Sequence, residues 1–66
     1  MKVSFDRESD ALYVRFSDEA VADTAEVRPG IMFDYDAQGR IVALEILDAS
    51  RNLAVRDMKE FAREVA

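Results

Sequence analysis

The chain has 66 residues, half of them hydrophobic, with a formal net charge of −5 and neither cysteine nor histidine. This length allows a single domain over residues 1–66, and the missing residue types exclude disulfides, soft-metal sites and the commonest general base of enzymes. Because acidic residues are spread along the chain and no apolar run reaches roughly 18 residues, we expect no nucleic-acid partner and no membrane partner.

The N-terminal part of the chain predicts a β-hairpin. Val3 and Phe5 alternate with polar neighbours, which is typical of a strand with one buried face. The wholly polar stretch 6–10 predicts the turn, and residues 11–17 alternate again as a second strand. Because the chain enters this pattern directly, without the apolar core of a signal peptide, we expect a cytoplasmic, acidic protein.

Three further segments predict strands. Residues 21–27 contain β-branched side chains but alternate weakly, which favours an edge strand. Pro29 and Gly30 end that segment, since proline lacks a backbone donor and glycine tolerates turn angles. Residues 31–35 alternate as another strand, and residues 41–48 are the most apolar stretch, which predicts the centre of the sheet.

The C-terminal tail changes to a helical period at Asp57. Four apolar residues recur at spacings of three and four, as on one face of a helix: Met58, Phe61, Ala62 and Val65. The predicted fold class is therefore α+β. It is a small antiparallel β-meander of four to five strands over about residues 2–48, a connector over about 49–56, and one C-terminal helix over about 57–65.

The pattern leaves the register of the last hairpin open. A type I turn with a left-handed glycine bulge pairs Tyr35 with Ile41 and Phe33 with Ala43. Moving the pairing by one residue instead places Phe33 opposite Val42. Such a slip normally exchanges the two faces of a strand. Because both faces of this segment are largely apolar, the pattern does not decide between the two registers.

The two-sided apolar character of the last strand predicts an association surface. One helix covers one face of a sheet, so apolar residues on the other face need a different cover. The alternative is a set of scattered surface apolar residues, which are common in monomers. We expect self-association, as a homodimer or higher oligomer, through this candidate surface: Tyr13, Met32, Ile41, Ala43 and Leu47.

One stretch formally matches a calcium loop. The ligand and glycine positions of an EF-hand loop are occupied by Asp34, Asp36, Gln38, Gly39 and Glu45. The flanking segments alternate as strands rather than helices, and an extended strand carries Glu45 about 20 Å from Gly39. We therefore predict no calcium site and no other metal site.

No residue pattern predicts catalysis. The carboxylates of Asp34, Asp36, Glu45 and Asp48 could pair for acid–base chemistry or hold magnesium, but a solvated acidic rim is the simpler interpretation. The serines have no histidine to activate them. We expect neither an enzyme nor a cofactor.

Several short motifs together resemble a known family. They are Phe5-Asp6, residues 10–17, Pro29-Gly30, Asp34-Tyr35-Asp36 with Gly39, and residues 42–50. In this combination the chain resembles the bacterial domain of unknown function 2283 (YuzE-like) family over roughly residues 2–50, with Ala43 where that family has glycine. The resemblance implies a sheet-plus-helix protein without assigned chemistry. It also implies an alternative role, an antitoxin-like acidic module that binds a small basic ribonuclease-type toxin.

Overall fold

The computed structural model describes residues 1–65 and contains five strands and two helices. They are β1 (Lys2–Asp6), β2 (Ala11–Arg15), β3 (Asp23–Arg28), β4 (Ile31–Tyr35), β5 (Ile41–Ile46), α1 (Ala49–Asn52) and α2 (Met58–Val65). The predicted fold class, an antiparallel sheet with a C-terminal helix, is confirmed. Neither described helix has the length and apolar content of a membrane span.

The strands form one sheet in the order β1-β2-β5-β4-β3. The strand β5 lies at the centre, as its apolar content predicts, and β3 lies at an edge. The order differs from a sequential meander because β2 pairs with β5 instead of β3. Residues 16–22 therefore run past the ends of β5 and β4 to reach β3. This order places the most apolar strand between two neighbours and buries it best.

Two aspartates hold the turn between β1 and β2. Asp6 accepts hydrogen bonds from the N–H of Glu8 (3.0 Å) and the hydroxyl of Ser9 (2.9 Å). Asp10 has a left-handed φ of 55°, and its carboxylate accepts from the N–H (3.1 Å) and hydroxyl (2.6 Å) of Ser50. These bonds tie the segment after β5 to the turn, where α1 forms within the predicted connector.

The hairpin between β4 and β5 follows the glycine-bulge register at its turn and neither predicted register farther along the strands. Tyr35 lies opposite Ile41, as the glycine-bulge register predicts. A register shift between Asp34 and Tyr35 then places Phe33 opposite Leu44, which is neither predicted partner. One extra residue in β5 therefore lets a tight turn coexist with the pairing of two large apolar side chains.

The helix α2 begins where the sequence indicates. The Oδ1 atom of Asp57 accepts hydrogen bonds from the N–H groups of Lys59 (3.0 Å) and Glu60 (3.2 Å), which caps the first turn. The apolar stripe of the helix then faces the sheet. The ring of Phe61 meets the ring of Phe5 on β1 edge to face, with 5.5 Å between centroids.

Candidate functional site

The pairing of the strands places most large apolar residues on one face of the sheet. Residues opposite each other in an antiparallel pair share a face, so a row can be followed from strand to strand. One row contains Val3, Val14, Leu44, Phe33 and Ala25. The next row contains Phe5, Leu12, Ile46 and Ile31. We call this side of the sheet the apolar face.

The helix α2 covers only the β1 side of the apolar face. It packs mainly against β1, and within residues 1–65 it has no comparable packing against β4 or β5. Leu12, which lies opposite Phe5, is only 6% exposed. The covered corner of the face is therefore the small core around Phe5, Leu12 and Phe61.

The part of the apolar face that α2 does not cover extends across β2, β5 and β4. We call it the open patch, and its large side chains are Val14, Phe16, Phe33, Tyr35 and Leu44. Phe16 is 45% exposed, and the other four are half-buried. The rings of Phe33 and Tyr35 lie side by side, with 6.3 Å between centroids. No described element of the chain packs over this patch to the extent that α2 packs over β1.

The opposite side of the sheet is polar. Tyr13 and Met32, two residues of the predicted association surface, lie on either side of Glu45 in one row. Charged and polar residues occupy the remaining positions of this polar face, including Lys2, Ser4, Asp6, Arg15, Glu26 and Asp34. The apolar crowding expected there does not occur, because β5 contributes only Ala43 and Glu45 to it.

The remaining residues of the predicted association surface are separated from one another. Ala43 has 0% exposure, so it offers no surface to a partner. Ile41 and Leu47 are 46% and 37% exposed, but they flank the two ends of β5, about 20 Å apart. Tyr13 and Met32 share one row of the polar face with Glu45 between them, whereas Ile41 lies opposite Tyr35 and therefore on the apolar face.

Sequence alternation alone does not predict the open patch. Alternation assigns Val14, Phe16 and Leu44 to the face beneath the helix, and they do lie on that face. What alternation does not indicate is the size of the helix relative to the width of the sheet. An α2 of eight residues is about 12 Å long and about 10 Å wide, whereas five strands about 4.8 Å apart span roughly 20 Å. One short helix therefore covers about half of such a face.

Asp36 is the buried carboxylate of the hairpin turn, with 7% exposure. It accepts hydrogen bonds from the N–H groups of Arg40 and Gln38, each at 2.9 Å, and from Nε of Arg40 at 3.0 Å. The backbone hydrogen bond from Arg40, supported by the side chain of Arg40 and the N–H of Gln38, lowers the pKa of Asp36 below its usual value. These contacts make Asp36 an anchor of the turn, because an ionised and fully bonded carboxylate is a poor proton acceptor.

The other carboxylates are dispersed along the sheet. Asp34 accepts a hydrogen bond from the hydroxyl of Thr24 on β3 at 2.6 Å, and Glu45 lies within β5. The segments on both sides of the calcium-loop match are strands. Within residues 1–65, no three carboxylates come close enough to hold a metal ion.

Comparison with known proteins gives one match. A family model described as "Protein of unknown function (DUF2283)" matches residues 2–50, which include the whole sheet and end within α1. The resemblance to this family, inferred from the motifs, is thereby confirmed. No curated protein and no solved structure gives a significant match. The helix α2 lies outside the matched region.

Proposed function

The chain belongs to the family of proteins of unknown function DUF2283, and we propose that it acts through self-association, forming a homodimer by apposition of two open patches. The observation that carries this proposal is the half-buried row of Val14, Leu44 and Phe33, which α2 does not cover, beside the exposed side chain of Phe16. Removing such a surface from water is favourable, and a second copy supplies the same surface through two-fold symmetry.

The accessible surface area of the protomer supports a second copy of the chain as the partner. Its accessible surface is 4843 Å², whereas a compact monomer of 7.5 kDa exposes about 4,250 Å². Its radius of gyration is 12.4 Å, against about 10.8 Å for a compact chain of this length. The excess of about 600 Å² is close to the roughly 800 Å² that each partner buries in a standard interface.

The small core supports the same proposal. Within residues 1–65 the apolar residues that are buried are Leu12, Val42, Ala43 and Ala49, and two of these four are alanines. Chains of this size gain stability from disulfides, metals or partner subunits, and this chain has no cysteine and no histidine. A second sheet about 10 Å above the open patch completes a two-layer core.

Light scattering at several protein concentrations tests the proposal. We expect the wild-type chain to have at least twice its 7.5 kDa mass, and Phe16→Glu to lower that mass while the circular dichroism spectrum is retained. Phe16 suits this substitution because its side chain is already 45% exposed in the protomer.

The matched control is Leu47→Glu, which places the same charge on another exposed apolar residue outside the open patch. We expect this variant to keep the wild-type mass. A monomeric wild-type chain, or dissociation by Leu47→Glu but not by Phe16→Glu, would contradict an interface formed by the open patch.

A second candidate function is binding of a basic protein, such as a small ribonuclease-type toxin. It is supported by the polar face, where Glu26, Asp34 and Glu45 lie on three adjacent strands. Complementary charge accelerates the encounter of such partners. A small basic ribonuclease should bind the wild-type chain and lose affinity for the Glu26→Gln, Glu45→Gln variant and in higher salt. Binding that is insensitive to both would rule out this surface.

A further inference from the structure

The two edges of the sheet differ in how they are protected. At one edge, β3 has a register shift between Glu26 and Arg28 and exposes charged side chains, which discourages pairing with another strand. At the other edge, β1 pairs with β2 over all of its residues without a shift. Within residues 1–65, no turn, loop or helix donates a backbone hydrogen bond to Lys2–Asp6 or accepts one from it. The outer side of β1 is therefore a regular strand with free backbone groups.

The sequence of β1 is complementary to itself in the antiparallel direction. We propose that β1 pairs with β1 of a second copy around a two-fold axis at Ser4, which joins two sheets edge to edge. In this register Lys2 lies opposite Asp6 of the second copy, and Val3 lies opposite its Phe5. Polar residues thus stay on the polar face and apolar residues on the apolar face, whereas a slip by one residue exchanges the faces.

The charges of β1 favour this register. Lys2 lies opposite Arg15 on β2, and like charges directly opposite each other are destabilising. Among residues 1–65 the salt bridge that forms joins Arg40 to Asp36, so Lys2 has no acidic partner within these residues. Across the proposed axis each Lys2 meets an Asp6 carboxylate. Exposed ion pairs add little affinity, whereas like charges placed opposite each other across an interface are strongly unfavourable, so these two pairs act mainly by selecting the register.

The proposed pairing does not use the open patch. Val14, Phe16, Phe33, Tyr35 and Leu44 belong to the β2, β5 and β4 part of the sheet, whereas the edge contact is made by β1. Edge pairing is therefore independent of the face-to-face dimer, and a chain that forms both contacts assembles into more than a dimer.

A single introduced cysteine tests the two-fold axis, because the chain has no cysteine of its own. In an antiparallel pair, residues directly opposite have Cα atoms about 4.5–5.5 Å apart, within the range that a disulfide spans. We expect Ser4→Cys to become a covalent dimer under mild oxidation. The control is Ser9→Cys in the exposed turn beside β1, which should stay largely monomeric on a non-reducing gel. Equal cross-linking of the two variants would overturn the proposal.

Charge reversal tests the register independently. Lys2→Glu alone and Asp6→Lys alone each place like charges across the axis, and we expect each to weaken association at least tenfold. An equimolar mixture should restore it, because the mixed dimer regains both opposite-charge pairs. Absence of restoration between folded variants would overturn the register. Since Asp6 also holds the turn, a second measurement adds Lys2→Glu to Ser4→Cys; undiminished cross-linking would likewise overturn it.

The edge and face contacts are separated by adding Phe16→Glu to Ser4→Cys. Retained cross-linking in this variant supports the edge contact whether or not the open patch associates. If Ser4→Cys does not cross-link while Phe16→Glu still lowers the wild-type mass, the edge contact is refuted and the face contact stands.

Discussion

Truncation of Phe16 to alanine measures the contribution of the open patch to association. A phenylalanine side chain buries about 200 Å² when it is fully covered, and 45% of Phe16 is exposed in the protomer, so a partner covers about 90 Å². At about 25 cal/mol per Å² this area contributes about 2 kcal/mol per chain. Two-fold symmetry doubles the loss to about 4 kcal/mol per dimer, which raises the dissociation constant about 1,000-fold.

The assay is sedimentation equilibrium over a wide range of protein concentration, with urea unfolding measured in parallel. Unfolding is needed because the covered part of the Phe16 ring, about 110 Å², stabilises the protomer itself by about 2.8 kcal/mol. That loss is a large part of the roughly 3–10 kcal/mol expected for a chain of this length. The dissociation constant is therefore compared at a temperature at which both proteins are folded.

Val21→Ala is the control for this measurement. Val21 is 42% exposed in the segment between β2 and β3, outside the open patch, so its truncation should leave the dissociation constant unchanged. A folded Phe16→Ala chain whose dissociation constant stays within threefold of the wild-type value would refute an interface over Phe16. An equal effect of the two variants would indicate a general loss of stability instead.

Three other substitutions test the protomer. Because hydrogen bonds lower the pKa of Asp36 in the folded chain, its carboxylate stabilises the fold above the unfolded value of 3.8 and loses that effect as pH falls through the lower folded pKa. At neutral pH the urea midpoint of Asp36→Asn should be lower than that of the wild type. The two midpoints should converge as the pH falls below 3.8. Gly39→Ala should cost about 1–2 kcal/mol through its φ of 80° alone, since an added methyl group meets nothing within 4 Å; no loss in urea unfolding would contradict this. Phe61→Ala removes the partner of Phe5 and should cost about 2 kcal/mol, with a lower helical circular dichroism signal; an unchanged signal would show that α2 does not depend on this contact.

The elements that sequence reasoning predicts well are those determined by neighbouring residues. The polar turn after β1, the alternation of β2 and β4, and the cap at Asp57 each depend on a few consecutive positions. The short helix α1 is not predicted, because it depends on a contact between Asp10 and Ser50, which are distant in the chain.

In the candidate site, too, some features follow from neighbouring residues and others depend on tertiary contacts. Exposure of Ile41 and Leu47 follows from their positions at the ends of β5, but the burial of Ala43 and the polar character of its face depend on which residues of β2 and β4 lie opposite. The partner on β4 is set by the register shift beside Tyr35, and the partner on β2 is set by the strand order; alternation within one strand predicts neither.

The sequence by itself determined an acidic α+β chain without histidine or cysteine, whose most apolar strand lies at the centre of its sheet. Alternation is a local property, so it specifies which residues share a face of a strand. Only the tertiary structure decided which face of the sheet remains open. That outcome depends on the bulge in the β4–β5 pairing, on a helix too short to cover five strands and above all on the strand order, which is set by pairing between residues far apart in the chain.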